Sequence, residues 1–134
     1  ADTFNYRVRD EEDIIKITVM PIAGHVPHSR LKSPNVVFEE PYSHTTEAFR
    51  SLRSRMQFFT KEIKSPVILI TSSMPEEGKT FTSINLASVY SIMGKKTVLV
   101  GLIFADPGFT PTSVSAMNRE SQPGLLAETI WRIL

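Results

Sequence analysis

The sequence predicts an α/β fold in which a mostly parallel sheet is flanked by helices. Two apolar runs without polar alternation, residues 66–70 and 97–102, are typical of strands buried on both faces of such a sheet. Between them, residues 80–93 have the pattern of a helix, and Gly94 suits the left-handed position after a helix end. Strand, helix and strand in this order predict one right-handed βαβ unit.

A longer helix is predicted upstream, over residues 43–64. Ser43 is a suitable N-cap, because its hydroxyl can accept a hydrogen bond from a free N–H of the first turn. At 100° per residue, Glu47, Arg50 and Arg53 are expected to point away from the buried side. That side is marked by apolar residues at helical spacing: Phe49, Leu52, Met56, Phe59 and Ile63.

Residues 71–80, between the first predicted strand and its helix, have the pattern of a phosphate-binding loop. The full pattern is Gly-x-x-x-x-Gly-Lys-[Ser/Thr]. Gly78, Lys79 and Thr80 fill its last three anchor positions, whereas Ser73 stands where the first glycine is usual. The simpler interpretation is a strand-to-helix turn with a solvated lysine, but the flanking strand and helix patterns favour a nucleotide site.

Each residue type in this loop has a chemical reason to be there. Gly78 lets the backbone approach phosphates, Lys79 can reach the β- and γ-phosphates, and the Thr80 hydroxyl can ligate Mg²⁺. Free backbone N–H groups at the helix start would solvate phosphate oxygens. Glu76 places a negative charge in the loop. The predicted nucleotide-binding residues are Ser73, Met74, Pro75, Glu76, Glu77, Gly78, Lys79, Thr80 and Phe81.

These motifs resemble the nucleotide-binding segment of the bacterial tyrosine autokinases of capsule and exopolysaccharide export. The resemblance covers roughly the first three-quarters of the chain and is carried by residues 70–73, 75, 77–80, 85–87 and 94–100. It implies a P-loop fold of the deviant Walker ATPase type, with ATP or ADP and Mg²⁺ as ligands. It also implies ATP-dependent phosphorylation of tyrosines on neighbouring subunits, with Lys79 as a catalytic residue.

The upstream helix carries a second family element. Glu47, Arg50 and Arg53 fit the Glu-x-x-Arg-x-x-Arg pattern that packs against a neighbouring subunit in a ring. The resemblance therefore implies a homo-oligomer through this helix. The alternative is an exposed helix face with i,i+3 charge pairs, each contributing a few tenths of a kcal/mol.

The N-terminal region resembles the juxtamembrane segment of the same family, through residues 19–29. A short helix is predicted within 10–18 and a connector over 29–42. We therefore divide the chain into an N-terminal segment, 1–42, and a P-loop core, 43–134. The resemblance implies a membrane-anchored parent protein at the cytoplasmic face of the bacterial inner membrane, working with polysaccharide export machinery.

The family pattern changes after residue 102, where an Asp-x-Arg-[Arg/Lys]-Pro motif would hold Mg²⁺. Here the sequence continues as Ile-Phe-Ala-Asp-Pro, and Asp106 is the candidate catalytic and metal-binding acid. Two other interpretations remain open: Asp106 closes an Asx-type turn before proline, or residues 103–106 correspond to positions beyond that motif. The three tyrosines, at positions 6, 42 and 90, do not form a cluster.

Composition fits one globular domain. The 134 residues are 41% hydrophobic and 22% charged, with a formal net charge of +1 and no cysteine. This charge gives no electrostatic case for nucleic acid, and no run reaches the roughly 18 apolar residues of a membrane span. Without cysteine there is no disulfide or thiolate zinc site, and we assign no metal role to the histidines.

Three functions follow from these observations. The leading hypothesis is a protein-tyrosine autokinase that regulates polysaccharide polymerisation and export. The second is a nucleotide-binding assembly module without catalysis. The third is a partition-type P-loop ATPase, for which the Asp106-Pro107 pair is the argument.

Overall fold

The computed structural model describes residues 11–31, 33–102 and 111–117. Within them the chain forms four helices and two strands in the order α1 to α4, β1, β2. Their bounds are α1 Glu11–Ile15, α2 Val36–Glu39, α3 His44–Thr60, α4 Lys79–Ile92, β1 Thr97–Leu102 and β2 Pro111–Met117. No helix in this part of the chain is long and apolar enough to cross a membrane.

Helix α3 begins as the sequence predicts. Ser43 is its N-cap, and the Ser43 hydroxyl accepts a hydrogen bond of 3.2 Å from the Thr46 N–H. The helix ends at Thr60, earlier than the predicted end near residue 64. The predicted apolar stripe is correct only for its first part, because Phe59 and Ile63 are exposed.

Helix α4 ends in a Schellman motif at Gly94, as the sequence predicts. Gly94 has a φ of +79°, its N–H bonds the Ser91 carbonyl at 2.8 Å, and the Lys95 N–H bonds the Tyr90 carbonyl at 3.2 Å. A side chain other than glycine would be strained at this φ. The motif therefore turns the chain sharply from α4 into β1.

The core lies where α2, α3 and α4 meet. Its buried members are Val37 on α2, Phe49 on α3, and Leu86 and Val89 on α4. Around them pack side chains that are partly buried: Val26, Leu52, Met56, Ile68, Ile70, Phe81 and Tyr90. These contacts fix the start of α4, and with it the predicted phosphate-binding loop, against α3.

Helix α2 forms within the stretch that the sequence predicts to be a connector. Its position depends on Asn85 of α4, which is fully buried. The Asn85 amide accepts from the Val37 N–H at 3.0 Å and donates to the carbonyls of Pro34 and Phe81 at 2.7 and 2.8 Å. One side chain thus pins the α2 segment to the helix that follows the loop.

The two strands form an antiparallel pair. The register joins Thr97 to Met117 and Leu102 to Pro111, with an irregularity between Gly101 and Leu102. Strand β1 has the predicted bounds, but β2 lies in a stretch rich in Ser, Thr and Pro for which no strand was predicted. Only residues 103–110 separate the two strands in the sequence. A connection this short can join antiparallel strands, whereas a parallel pair needs a longer crossover.

The predicted strand at residues 66–70 is extended, but among the described residues it pairs with no other strand. Its side chains alternate: Ile68 and Ile70 pack against the core cluster, whereas Val67 and Leu69 are exposed. The expected parallel pairing with β1 is therefore not formed in this part of the chain. The P-loop fold class remains a prediction.

Candidate functional site

The predicted phosphate-binding loop turns into α4 at Gly78. Gly78 has φ +86° and ψ 19° and is the N-cap residue of α4. A Cβ at this position would meet nothing within 4 Å, so the requirement for glycine comes from the backbone conformation alone. The Gly78 carbonyl accepts from the Thr82 N–H at 2.8 Å, which starts the helix.

Glu76 also has a left-handed backbone, with φ of 63°. This conformation costs a residue with a Cβ roughly 1–2 kcal/mol. A glycine would adopt this positive φ without that cost, so Glu76 stands at a position whose backbone conformation favours glycine. The Glu76 side chain is exposed.

The Lys79 amine folds back over the loop. It donates to the Met74 carbonyl oxygen at 2.8 Å and to the Ser72 hydroxyl. The Ser72 hydroxyl in turn donates to the same Met74 carbonyl at 2.8 Å. A bound phosphate would offer its own oxygens to the Lys79 amine in place of the Met74 carbonyl and the Ser72 hydroxyl. Sequence reasoning missed Ser72 because the first anchor position of the motif is residue 73, and residue 72 lies outside the motif.

Glu77 holds the loop from the other side. Its Oε2 accepts from the Met74 N–H at 3.1 Å. The pKa of the Glu77 carboxyl lies below its usual value, first because of this hydrogen bond, then because of the Ser72 hydroxyl and the Lys79 charge. The Glu77 carboxylate thus supports the loop backbone.

The backbone of the loop presents free donors. Among the described residues, none of the four N–H groups from Gly78 to Phe81 donates to another group. Four orphan N–H groups at a helix start, together with the positive end of the helix dipole, favour an anion. Ser73, Met74 and Pro75 lie exposed beside them.

The remaining two predicted site residues differ in orientation. The Thr80 side chain is exposed in the first turn of α4, whereas the Phe81 ring faces inward. The Phe81 ring lies 5.8 Å from the Phe49 ring, centroid to centroid, at an angle of 59°. Phe81 can thus contribute its N–H to a ligand while its side chain anchors the loop to α3.

A magnesium ion would rely mainly on the nucleotide. The described part of the chain contains no group of three or more His, Asp, Glu or Cys side chains that could hold a metal. Thr80 offers one hydroxyl oxygen, which suits Mg²⁺ bound chiefly through phosphates and water. Asp106, the predicted acid, lies outside the described residues.

The three predicted interface residues on α3 are not equivalent. Glu47 and Arg50 form an ion pair on the surface, as expected for an outward face. The expectation is wrong for Arg53, whose Nη1 donates to the Val89 carbonyl of α4 at 3.4 Å. Its Nε is buried, because Arg53 lies in the groove between α3 and α4. An arginine on a carbonyl in the last turn of a helix also complements the helix dipole.

Comparison with known proteins gives related sequences but no related structure. No family model matches the chain, and no solved structure matches it. The tyrosine-protein kinase YwqD of Bacillus subtilis (strain 168) is 35% identical over 72 residues, covering 54% of this chain and 30% of YwqD.

Two longer proteins are similar over comparable or larger parts of this chain. The succinoglycan biosynthesis transport protein ExoP of Rhizobium meliloti (strain 1021) is 29% identical over 106 residues, covering 79% of this chain and 13% of ExoP. The tyrosine-protein kinase etk of Escherichia coli (strain K12) is 30% identical over 73 residues, covering 54% of this chain and 10% of etk.

This chain spans less than a third of the length of each of these relatives. Two of these relatives are named as tyrosine-protein kinases and the third as a succinoglycan biosynthesis transport protein. Both kinds of name agree with the family that the sequence motifs resemble. The predicted resemblance is therefore confirmed: the chain is similar, over part of its length, to bacterial tyrosine-protein kinases of capsule and exopolysaccharide biosynthesis.

Proposed function

We propose that this chain is the nucleotide-binding part of a bacterial protein-tyrosine autokinase. It binds Mg·ATP at the start of α4 and phosphorylates tyrosines on neighbouring subunits, and this regulates polysaccharide polymerisation and export. The observation that carries the proposal is the Lys79 amine, held over a loop whose N–H groups from Gly78 to Phe81 are free. The names of the relatives support the kinase class.

The residues of the loop divide the work of holding a triphosphate. The free N–H groups solvate the phosphate oxygens, and the Lys79 amine leaves the Met74 carbonyl to neutralise charge on the β- and γ-phosphates. Mg²⁺ supplies further charge neutralisation when it is bound, with the Thr80 hydroxyl as a ligand. Glu77 keeps the loop in shape through the Met74 N–H.

The proposal places the chain in a larger protein at the cytoplasmic face of the inner membrane. There it forms a homo-oligomer through Glu47 and Arg50, which are paired on the surface of α3. Arg53 contributes to that interface indirectly, by holding α3 against α4. The polysaccharide export machinery is the expected partner, as the name of ExoP suggests.

A second candidate function is a nucleotide-dependent assembly module without catalysis. The outward-facing Glu47–Arg50 pair favours it, because an interface can form whether or not phosphoryl transfer takes place. This candidate predicts nucleotide binding and oligomer formation but no phosphotyrosine.

The deciding experiment incubates the chain with Mg·ATP and searches for phosphotyrosine by mass spectrometry. The proposal predicts phosphotyrosine that is lost in Lys79→Met and retained in Lys95→Met, a control at the exposed far end of α4. Sedimentation of the same samples reports assembly. Assembly with bound nucleotide and no phosphotyrosine would instead support the second candidate.

A further inference from the structure

The last turns of α3 carry an exposed pair of aromatic side chains. Phe58 and Phe59 are 75% and 60% exposed, and their rings meet edge to face with centroids 6.3 Å apart. The hydrophobic effect disfavours such a pair in water. Contiguous exposed apolar groups of this kind commonly mark an interaction surface.

The aromatic pair borders a groove between α3 and residues 22–23. The groove has a volume of about 420 Å³, and its walls include Ile22, Ala23, Phe58 and Phe59. The Arg55 guanidinium joins the two walls through a hydrogen bond of 3.5 Å to the Ala23 carbonyl. We call Ile22, Ala23, Arg55, Phe58 and Phe59 together the Phe58–Phe59 surface.

Exposed apolar residues continue from this surface along the N-terminal segment. Val19 and Met20, which precede the Ile22 wall, are both largely exposed. At the other end, Ile63 follows the aromatic pair and is 54% exposed. The apolar character therefore extends beyond the groove itself in both directions along the chain.

Basic residues lie close to the aromatic pair in space or in sequence. The Lys61 amine lies 5.5 Å from the centroid of the Phe58 ring, which is within the range of a cation–π contact. Lys64 follows one turn later in the sequence, and Glu62 is the one acidic residue between positions 51 and 64. Among the described residues, Arg55, Lys61 and Lys64 form no ion pair.

We propose that the Phe58–Phe59 surface docks on an anionic lipid bilayer. Phenylalanine rings can enter the boundary between headgroups and acyl chains, while lysine and arginine heads remain at the level of the phosphates. The positive charges of Arg55, Lys61 and Lys64, which form no ion pair among the described residues, complement the negative charge of anionic headgroups. A second copy of the chain would bring like charges together, which disfavours it as the occupant.

The docking does not depend on nucleotide binding or on kinase activity. The Phe58–Phe59 surface shares no residue with the phosphate-binding loop at the start of α4. Docking would orient the chain on the membrane through α3 and the segment that precedes the core.

Co-flotation with vesicles tests this proposal. The chain is mixed with phosphatidylglycerol vesicles and, separately, with uncharged phosphatidylcholine vesicles. We expect binding to the anionic vesicles that weakens at high salt. Replacing both Phe58 and Phe59 by serine is expected to weaken binding at least about tenfold. The control Tyr42→Ser, which removes an aromatic side chain 92% exposed elsewhere, should bind like the unchanged protein.

A charge variant keeps the test valid if the serine variant is misfolded. Lys61→Gln with Lys64→Gln leaves the apolar groups in place and is expected to weaken binding by about fivefold per lysine. Binding that is equal for charged and uncharged vesicles, or unchanged in both variants, would overturn the proposal. So would a concentration-dependent dimer that the two phenylalanine substitutions abolish, because the occupant would then be a second copy of the chain.

Discussion

Replacing Asn85 by alanine tests whether one buried amide holds the loop-bearing helix to the segment before it. The substitution removes the acceptor of the Val37 N–H and the donor to the Pro34 carbonyl. The third partner is the Phe81 carbonyl, which lies four residues before Asn85 within α4. It keeps its backbone hydrogen bond in the helix, so losing the side-chain bond costs less free energy there.

The expected cost follows from the burial of each partner. Val37 is fully buried, so its N–H stays unsatisfied at a cost of about 1–3 kcal/mol. Pro34 is exposed, so its carbonyl can turn to water and contributes at most about 1 kcal/mol. Alanine regains roughly 0.5 kcal/mol of helix propensity. The free energy of unfolding should therefore fall by about 0.5–3.5 kcal/mol, with a central value of about 2 kcal/mol.

Urea unfolding followed by far-UV circular dichroism measures this change. Ser83→Ala is a matched control on the same helix, because among the described residues the Ser83 hydroxyl bonds just the Lys79 carbonyl, one turn earlier in α4. That control should change the free energy of unfolding by less than about 0.5 kcal/mol. If Asn85→Ala were equally mild, the amide would not be what holds α2 to α4, and the reasoning would fail.

Three further predictions concern α3, the loop and the end of α4. Arg53→Ala should lower the free energy of unfolding by about 1–2 kcal/mol, because the Val89 carbonyl loses its hydrogen bond from the Arg53 guanidinium. The control Arg50→Ala should change it by less than about 0.5 kcal/mol, because Arg50 belongs to a surface ion pair. Equal urea midpoints for the two variants would refute this. Because the pKa of Glu77 is lowered on folding, its contribution is present above the unfolded pKa of 4.5 and is lost as pH falls through the folded pKa. Thermal melts at acid pH should therefore fall more steeply for the wild type than for Glu77→Gln, and parallel profiles would contradict the assignment. Burial raises the pKa of Tyr90, so above the unfolded pKa of 10.0 the unfolded chain releases the Tyr90 proton more readily and the folded state loses stability relative to it. The melting temperature of Tyr90→Phe should therefore fall less steeply with alkaline pH, and equal slopes would contradict this. Because the buried hydroxyl has no partner among the described residues, Tyr90→Phe should keep full stability at neutral pH.

The sequence predicted those features that depend on neighbouring residues. The Ser43 cap, the left-handed Gly94 and the bounds of β1 are local, and the structure confirms them. The loop residues Gly78 and Lys79 lie at the start of α4 for the same local reason. Such signals can be recognised without knowledge of the rest of the fold.

Features that depend on distant contacts were missed. Asn85 bonds a residue 48 positions away, and Arg53 caps a carbonyl 36 positions away, so no spacing rule could place either side chain. The stretch that forms β2 lacks strong strand propensity and becomes a strand through its pairing with β1. Periodicity placed Phe59 in the core, but the structure leaves its ring exposed beside Phe58.

Calorimetric titration with Mg·ATP and Mg·ADP tests the central claim most directly. The account predicts saturable binding that weakens at least about tenfold in Lys79→Met, because one cation no longer meets the phosphates, and that is unchanged in Lys95→Met. Absence of binding, or equal affinity in the two variants, would contradict a nucleotide site at the start of α4.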